Sequence, residues 1–303
     1  MSVQTEAARA AAPASRPRSF YGPFYWSVRR ELWENRSIVI APLAAAGVVL
    51  LGFLLTLFGL KQEMSSLTAL TPMQQSVELA HEYGKALAPV WLAAFLVAVF
   101  YCLDALHGER RDRSILFWKS LPVSDLTTVL SKAAIPLLVL PLLVFAIVAV
   151  EQLLFIVLDS LFLLGSGFSS APLWTQPPLI PMLAQTLYGF LAAAWWQAPL
   201  YAWLLLISAW ARRSTFLWAV LPPLGLCALE AIVFKSGHFA SLLFNRLVGW
   251  FDAGFISPPE GAEALMRSDP LGLLGSAGFW LGLLAAAGML AAAVRLRRYR
   301  QPI

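Results

Sequence analysis

Long apolar runs with at most one charged residue each alternate with short polar segments along most of this chain. A helix needs about 20 apolar residues to cross about 30 Å of hydrocarbon at 1.5 Å per residue. Six runs reach that length, at about residues 38–60, 86–106, 133–158, 183–210, 214–234 and 271–294. The pattern therefore predicts an all-α integral membrane protein with six transmembrane helices.

The segments before the first run have a different pattern. Residues 1–19 are rich in Ala, Ser, Pro and Arg, which predicts a disordered cytoplasmic tail ahead of a membrane domain at 37–303. Residues 20–36 predict an amphipathic interfacial helix, for which a plain juxtamembrane anchor is the alternative. Helical spacing gives one apolar face, a charged face opposite it and two tryptophans on the boundary: Tyr21, Phe24, Tyr25, Val28 and Leu32; Arg30, Glu31 and Glu34; Trp26 and Trp33.

The loop at 235–270, between the fifth and sixth runs, is too apolar for a free linker. It predicts one or two short helices that rest on or re-enter the outer leaflet, and a simple cap over the helix ends describes it equally well.

Composition supports a membrane protein. Hydrophobic residues make up 59% of the chain and charged residues only 13%, against about a quarter charged in soluble domains. A soluble fold of 303 residues cannot bury that much apolar surface.

The net charge of +5 reflects topology and not nucleic-acid binding, because the basic residues fall between the apolar runs. Of the 22 Lys and Arg residues, 17 lie in segments on one side of the predicted membrane. The positive-inside rule then places both termini in the cytoplasm, as an N-in/C-in multi-pass protein of the cell membrane.

Signatures of catalysis are absent from the sequence. There is no GxxxxGK[ST] phosphate loop, and the three histidines lie outside the apolar runs. Cys102 and Cys227 lie inside apolar runs, so a disulfide framework is not expected. We therefore expect no catalytic site, metal site or cofactor in this chain, which is not expected to be an enzyme.

Three acidic residues lie in or near the ends of the spans, where a charge is costly. We expect Asp104 to pair with the arginine-rich loop that follows it. Glu151 and Glu230 are candidates for a transport pathway, which leaves a proton-coupled secondary transporter or channel as an alternative function.

The loop between the second and third spans is charged in its first half and aromatic in its second. It predicts a short amphipathic helix that dips its apolar face into the membrane surface and presents residues 109–113 outward. Ser124 is placed to cap the next helix. Acids among the arginines favour docking of a protein partner over binding of lipid, and a solvated topogenic loop is the alternative.

Residues 106–124, LHGERRDRSILFWKSLPVS, resemble a segment of the permeases of type-2 ATP-binding-cassette (ABC-2) exporters. An interfacial helix, six spans with both ends inside and short helices between the last two spans are also features of that family. The resemblance implies a permease that works with a second copy or paralogue in a lipid bilayer. In the family this loop contains a coupling helix that contacts a separate ATPase subunit, which binds ATP and Mg²⁺.

The resemblance implies that the matched loop residues contact the ATPase subunit. These residues are Glu109, Arg110, Arg111, Arg113, Phe117, Trp118 and Lys119. A membrane scaffold that binds a partner through this loop without transport is a further alternative. The family has no fixed substrate motif, so the transported molecule is not predicted.

Overall fold

A computed structural model describes residues 21–112, 114, 123–164, 169–175, 177, 179–250 and 272–299. Within these ranges the chain is helical and contains no β-strand. Six helical segments are long and apolar enough to cross a membrane: Ser37–Gly59, Pro72–Arg111, Asp125–Leu163, Leu179–Trp196, Thr215–Val233 and Ala277–Tyr299. The chain is thus a multi-pass membrane protein, and the prediction of six membrane-length helices is confirmed.

We number the helices in chain order. The first eight are α1 (Tyr21–Glu34), α2 (Ser37–Thr56), α3 (Leu60–Thr68), α4 (Pro72–Gly84), α5 (Leu87–Ala105), α6 (His107–Arg111), α7 (Asp125–Ala134) and α8 (Leu140–Leu163). The remaining seven are α9 (Ala171–Thr175), α10 (Leu179–Trp196), α11 (Ala198–Trp210), α12 (Thr215–Val233), α13 (His238–Trp250), α14 (Gly272–Gly275) and α15 (Ala277–Tyr299).

Helix α5 lies at the centre of the bundle and packs against α2, α8 and α11, while α11 also packs along α15. Small residues on α5, including Ala94 and Ala98, are almost fully buried and let the helices approach closely. By contrast, only 6% of the apolar stretch of α12 is buried inside the bundle. Most of α12 therefore faces lipid or another partner.

Proline explains two irregularities in the long helices. Between α7 and α8 the chain forms one π-helical turn at Ile135–Val139, because Pro136 has no N–H with which to continue the α-helical ladder. Between α10 and α11 the helix is interrupted at Gln197, two residues before Pro199. The predicted fourth span at 183–210 is therefore two consecutive helices.

The two ends of the bundle are built differently. The charged end contains α6, the start of α7 and the end of α15. At the opposite end the spans extend beyond the predicted run lengths into a helical cap formed by α3, α4, α9 and the end of α8. This cap has its own apolar core, in which Phe53 stacks on Phe155 at a centroid distance of 3.9 Å.

Several bounds differ from the sequence prediction. The helical segments that contain the second and third spans begin at Pro72 and Asp125, ahead of the predicted 86 and 133, while the last span begins at Ala277 and not at 271. The predicted tail at 1–19 and the loop at 251–270 lie outside the described residues. Between the last two spans, the described residues form α13 and the single-turn helix α14.

Candidate functional site

A cluster of charged side chains is buried at the charged end of the bundle. Its members come from four helices and comprise three basic and three acidic residues: Arg30, Glu31, Glu109, Asp125, Lys132 and Arg297. We call this set the charge cluster. Four of its six residues are at most 9% exposed, which is rare for ionisable side chains unless each is paired.

Glu109, on the short helix α6, is the hub of the charge cluster. Its Oε1 atom accepts from Lys132 Nζ at 3.1 Å and from Arg30 Nη2 at 3.2 Å, and its Oε2 atom accepts from Arg297 Nη1. One carboxylate therefore connects α6 to α1, α7 and α15.

Glu31 is the second centre of the charge cluster. Its Oε1 atom accepts from Lys132 at 2.9 Å and from Arg30 at 2.8 Å, while the Tyr101 hydroxyl donates to its Oε2 atom at 2.9 Å. Tyr101 lies near the end of α5, so α1 is fixed against both α5 and α7.

Arg297 closes the charge cluster from the last helix. Its Nη1 atom donates to Glu109, and its Nε atom donates to Asp125 at 3.1 Å. Asp125 is the first residue of α7, where a carboxylate also complements the positive end of the helix dipole.

Equal numbers of acids and bases make burial of the charge cluster tolerable. The charge of Arg30 illustrates the balance: burial opposes it, but Glu31, Glu34 and Glu109 raise its pKa above the ordinary value. Buried ion pairs seldom add net stability over apolar packing, although breaking one is costly. The charge cluster is thus better explained as a device that fixes the geometry of four helices than as a source of stability.

Arg110 and Ser208 fix the same turn from its other side. Arg110 Nη1 donates to the carbonyl oxygens of Ala209 at 2.8 Å and Ala211 at 3.1 Å, at the end of α11. The Ser208 hydroxyl oxygen accepts from the backbone N–H groups of Leu106 at 3.0 Å and His107 at 2.9 Å. Helix α6 therefore cannot move without α11.

The prediction that the loop presents residues 109–113 outward is wrong for Glu109 and Arg110, which are 9% and 4% exposed. The reason is that their partners lie far away in sequence, on α1, α7, α11 and α15. Arg111 does face solvent, with 59% of its side chain exposed, and pairs with Asp104 at 3.7 Å, as predicted for Asp104. The other docking candidates, Arg113, Phe117, Trp118 and Lys119, lie outside the described residues.

The predicted division of α1 into an apolar and a charged face is wrong for Glu31. This residue, grouped with Arg30 and Glu34 on the charged face, is 1% exposed, whereas Tyr25, Trp26 and Trp33 are 59%, 60% and 67% exposed. The ion pairs of the charge cluster hold the acidic face inward. Local periodicity could not reveal this, because the compensating charges lie on other helices.

The two pathway candidates, Glu151 and Glu230, are not brought together. Glu230 caps the next helix: its oxygens accept from the Ser236 hydroxyl and from the backbone N–H groups of His238 and Phe239, each at 2.8 Å. This arrangement identifies Glu230 as a structural cap of α13.

Glu151 is 3% exposed, and neither of its carboxyl oxygens has a hydrogen-bond partner among the described residues. It lies on the buried face of α8, one turn from Val148 and one turn from Phe155. Further along the same face, Asp159 accepts a hydrogen bond from the Tyr83 hydroxyl at 3.1 Å. Glu151 is thus the least compensated acid in the described part of the bundle.

The sequence interpretation missed Lys132, Asp125 and Arg297 as site residues. One signal was available: Asp125 and Lys132 are seven residues apart and lie on one face of a helix that otherwise carries small and apolar residues. Arg297 lies among other C-terminal arginines and had no distinguishing signal.

No protein-family model, curated protein or solved structure matches this chain. The family resemblance of residues 106–124 therefore stays a prediction.

Proposed function

We propose that the chain is the membrane-spanning permease of an ABC-2 type exporter, in which a separate subunit binds and hydrolyses ATP. One observation carries the proposal. The loop expected to dock that subunit begins at a turn in which Glu109 is bonded to side chains from three other helices. A displacement of this loop would therefore also displace α1, α7 and α15, which are bonded to Glu109.

The proposed topology follows from the distribution of basic residues. The charged end contains the His107–Arg111 helix, the Arg212–Arg213 turn and the end of α15, and it faces the cytoplasm under the positive-inside rule. The cell membrane is the proposed location. Helix α1 then lies at the inner membrane surface, and the α3–α4–α9 cap lies outside.

In the proposed mechanism, nucleotide-driven movement of the ATPase displaces the loop. Since Glu109 binds side chains from α1, α7 and α15, and Arg110 binds the end of α11, these four elements move together with α6. Such a rigid-body movement is one of the standard ways in which a local event becomes a global change of state. The substrate then passes between inward-facing and outward-facing states.

We propose that a second copy of the chain covers α12, which is nearly unburied in a single copy. Cys227 lies on α12 and is partly exposed, while Cys102 is buried. Mild oxidation in membranes should therefore produce a disulfide-linked dimer that the Cys227→Ser variant does not form. A monomer under conditions that oxidise a reporter cysteine on an exposed loop would contradict this arrangement.

The decisive experiment is co-purification with a phosphate-loop ATPase, which the proposal expects to find encoded beside this gene. Arg111→Glu should release the ATPase without lowering the thermal midpoint of the permease, because Arg111 is exposed and its two acidic partners are exposed as well. The matched control is Arg110→Glu, which should unfold the charged end, since its guanidinium is buried against backbone carbonyls.

Two outcomes would count against the proposal: undiminished ATPase binding by Arg111→Glu, or flux by the purified permease alone in liposomes. Flux driven by a pH gradient without ATPase would favour the proton-coupled alternative, in which the buried Glu151 is the natural carrier. Partner binding with no nucleotide-dependent change in accessibility would favour the scaffold.

A further inference from the structure

Helix α1 has a second face, opposite the charge cluster, that is exposed and has a distinct composition. Trp26 and Trp33 are 60% and 67% exposed, and Arg29 lies between them on the same side of the helix. The Arg29 guanidinium carbon is 5.1 Å from the Trp26 ring centroid and 4.7 Å from that of Trp33. We call these three residues the Trp–Arg–Trp face.

The guanidinium of Arg29 is held in position but keeps its charge unpaired. Within the described part of the chain, Arg29 forms the two ring contacts and no ion pair. Stacking on an indole ring does not consume N–H groups, so the five donors of the guanidinium remain available for an anion. The two acids of α1, Glu31 and Glu34, are instead paired with Arg30, at 2.8 Å and 3.5 Å.

The position of α1 restricts the partner that this face meets. The helix ends at Glu34, and the first apolar span begins three residues later at Ser37, so α1 lies at the membrane boundary. Exposed tryptophans are favoured at the level of lipid headgroups, where the ring is apolar and its N–H is polar. Arg36 is exposed as well but lies beyond the end of α1 and outside the Trp–Arg–Trp face.

We propose that the Trp–Arg–Trp face binds the phosphate of an anionic glycerophospholipid in the adjoining leaflet. The phosphate accepts hydrogen bonds from the Arg29 guanidinium, a pairing that arginine makes in a bidentate geometry. The two indole rings lie beside the glycerol and upper acyl region. The negative charge of the headgroup compensates a cation for which the described protein offers no carboxylate.

This site has a consequence for the charge cluster. Arg29 is followed in sequence by Arg30 and Glu31, which point to the other side of the same helix and bind Glu109, Lys132 and Tyr101. Lipid binding on one face therefore fixes the position of the charge cluster on the other. The proposal does not depend on the ATPase, so either proposal can fail without the other.

The test is native mass spectrometry of the full chain in detergent, titrated with phosphatidylglycerol and, separately, with phosphatidylcholine. We expect the wild type to bind phosphatidylglycerol at least fivefold more tightly. Arg29→Gln should abolish this preference, and Arg29→Lys should retain part of it, because an ammonium keeps the charge but stacks poorly.

The matched control is Arg36→Gln, which removes an exposed arginine just beyond the end of α1. Arg36 makes no ring contact within the described part of the chain, so the variant should change the preference less than twofold. Hydrogen exchange should locate the site, with phosphatidylglycerol protecting residues 21–36 in the wild type and not in Arg29→Gln. A Trp26→Ala, Trp33→Ala double variant should also lose the preference. Because this variant keeps Arg29, its loss would show that the Trp–Arg–Trp face, and not positive charge alone, selects the lipid.

Equal binding of the two lipids by the wild type would overturn the proposal, as would an unchanged preference in Arg29→Gln. A third contrary result is loss of ATPase co-purification in Arg29→Gln with the lipid preference intact. That result would identify the face as a protein-docking surface.

Discussion

Glu109 and Glu151 are buried glutamates towards opposite ends of one helical bundle, and they differ in whether the carboxyl group has partners. Glu109 receives hydrogen bonds from three cationic side chains on three helices. Glu151 lies among apolar side chains with neither oxygen bonded within the described part of the chain. The first is a charge that the fold needs, and the second is an acid that the fold merely accommodates.

The contrast extends to the ends themselves. At the charged end, ion pairs specify the geometry, whereas at the opposite end a cap is held by apolar contacts such as the stacked Phe53 and Phe155 rings. Ion pairs are directional and specify one arrangement, while apolar contacts tolerate small shifts. The same amide substitution should therefore have very different effects at the two glutamates.

The largest effect is expected from Glu109→Gln. Loss of this carboxylate leaves the buried Lys132 and Arg297 and the partly exposed Arg30 with only Glu31 and the partly exposed Asp125 to balance them. The free energy of unfolding should fall by about 3–5 kcal/mol, as for other broken buried ion pairs. Thermal unfolding in detergent is the measurement, and Glu78→Gln, at an exposed site on α4, is the control, with an expected change within about 0.5 kcal/mol. A loss below about 1 kcal/mol would mean that the charge cluster is not structurally coupled.

A middle-sized effect is expected at the opposite end from Tyr83→Phe. The variant keeps the ring in the apolar core and removes the hydroxyl that donates to Asp159. Leaving a buried acceptor without that donor costs about 1–3 kcal/mol. The control is Tyr299→Phe, because Tyr299 is 78% exposed and should tolerate the change. If both variants unfold at the same temperature as the wild type, the Tyr83–Asp159 bond has no part in stability.

A smaller effect is expected from Glu230→Ala. The carboxylate caps the first turn of α13 through two backbone N–H groups and the Ser236 hydroxyl, so its removal should loosen that turn without unfolding the bundle. Faster hydrogen exchange at residues 238–241 should report it locally. Glu230→Asp is the comparison, since it retains the charge with a shorter reach. Unaltered exchange in Glu230→Ala would show that water replaces the cap.

The smallest effect is expected from Glu151→Gln, which completes the comparison with Glu109→Gln. An amide of similar size replaces a carboxyl group that has no partner, so stability should change by less than about 1 kcal/mol and can rise. The two variants are compared in one thermal-unfolding series. A loss of several kcal/mol would mean that Glu151 has a charged partner in the assembled protein.

The sequence was sufficient for the features that depend on local pattern. The length of the apolar runs located six membrane-length helices. The position of Ser124 before α7 predicted a cap that the structure contains, with Thr127 N donating to Ser124 Oγ at 3.0 Å. The Asp104–Arg111 pair was also predictable, because the two residues lie seven positions apart around one helical end. Each of these features joins residues that are close in sequence.

The charge cluster was not predictable because its contacts are long-range. Glu31 and Lys132 are 101 residues apart, and Glu109 and Arg297 are 188 apart. The count of basic residues assigned Arg30, Lys132 and Arg297 to membrane topology. A single sequence offers no means of pairing one buried charge with another. For the same reason, periodicity grouped the buried Glu31 with the exposed Glu34 on one charged face of α1.

The long separation between Glu109 and Arg297 also bears on how the protein is made. Synthesis proceeds from the N-terminus, so five spans have emerged before Arg297 exists. Until then the cluster has three acids and two bases, and Glu109 lacks one of its partners. Insertion of the last span therefore completes the charged end instead of merely extending the bundle, and an incomplete chain carries an uncompensated acid at the membrane surface that distinguishes it from the finished protein.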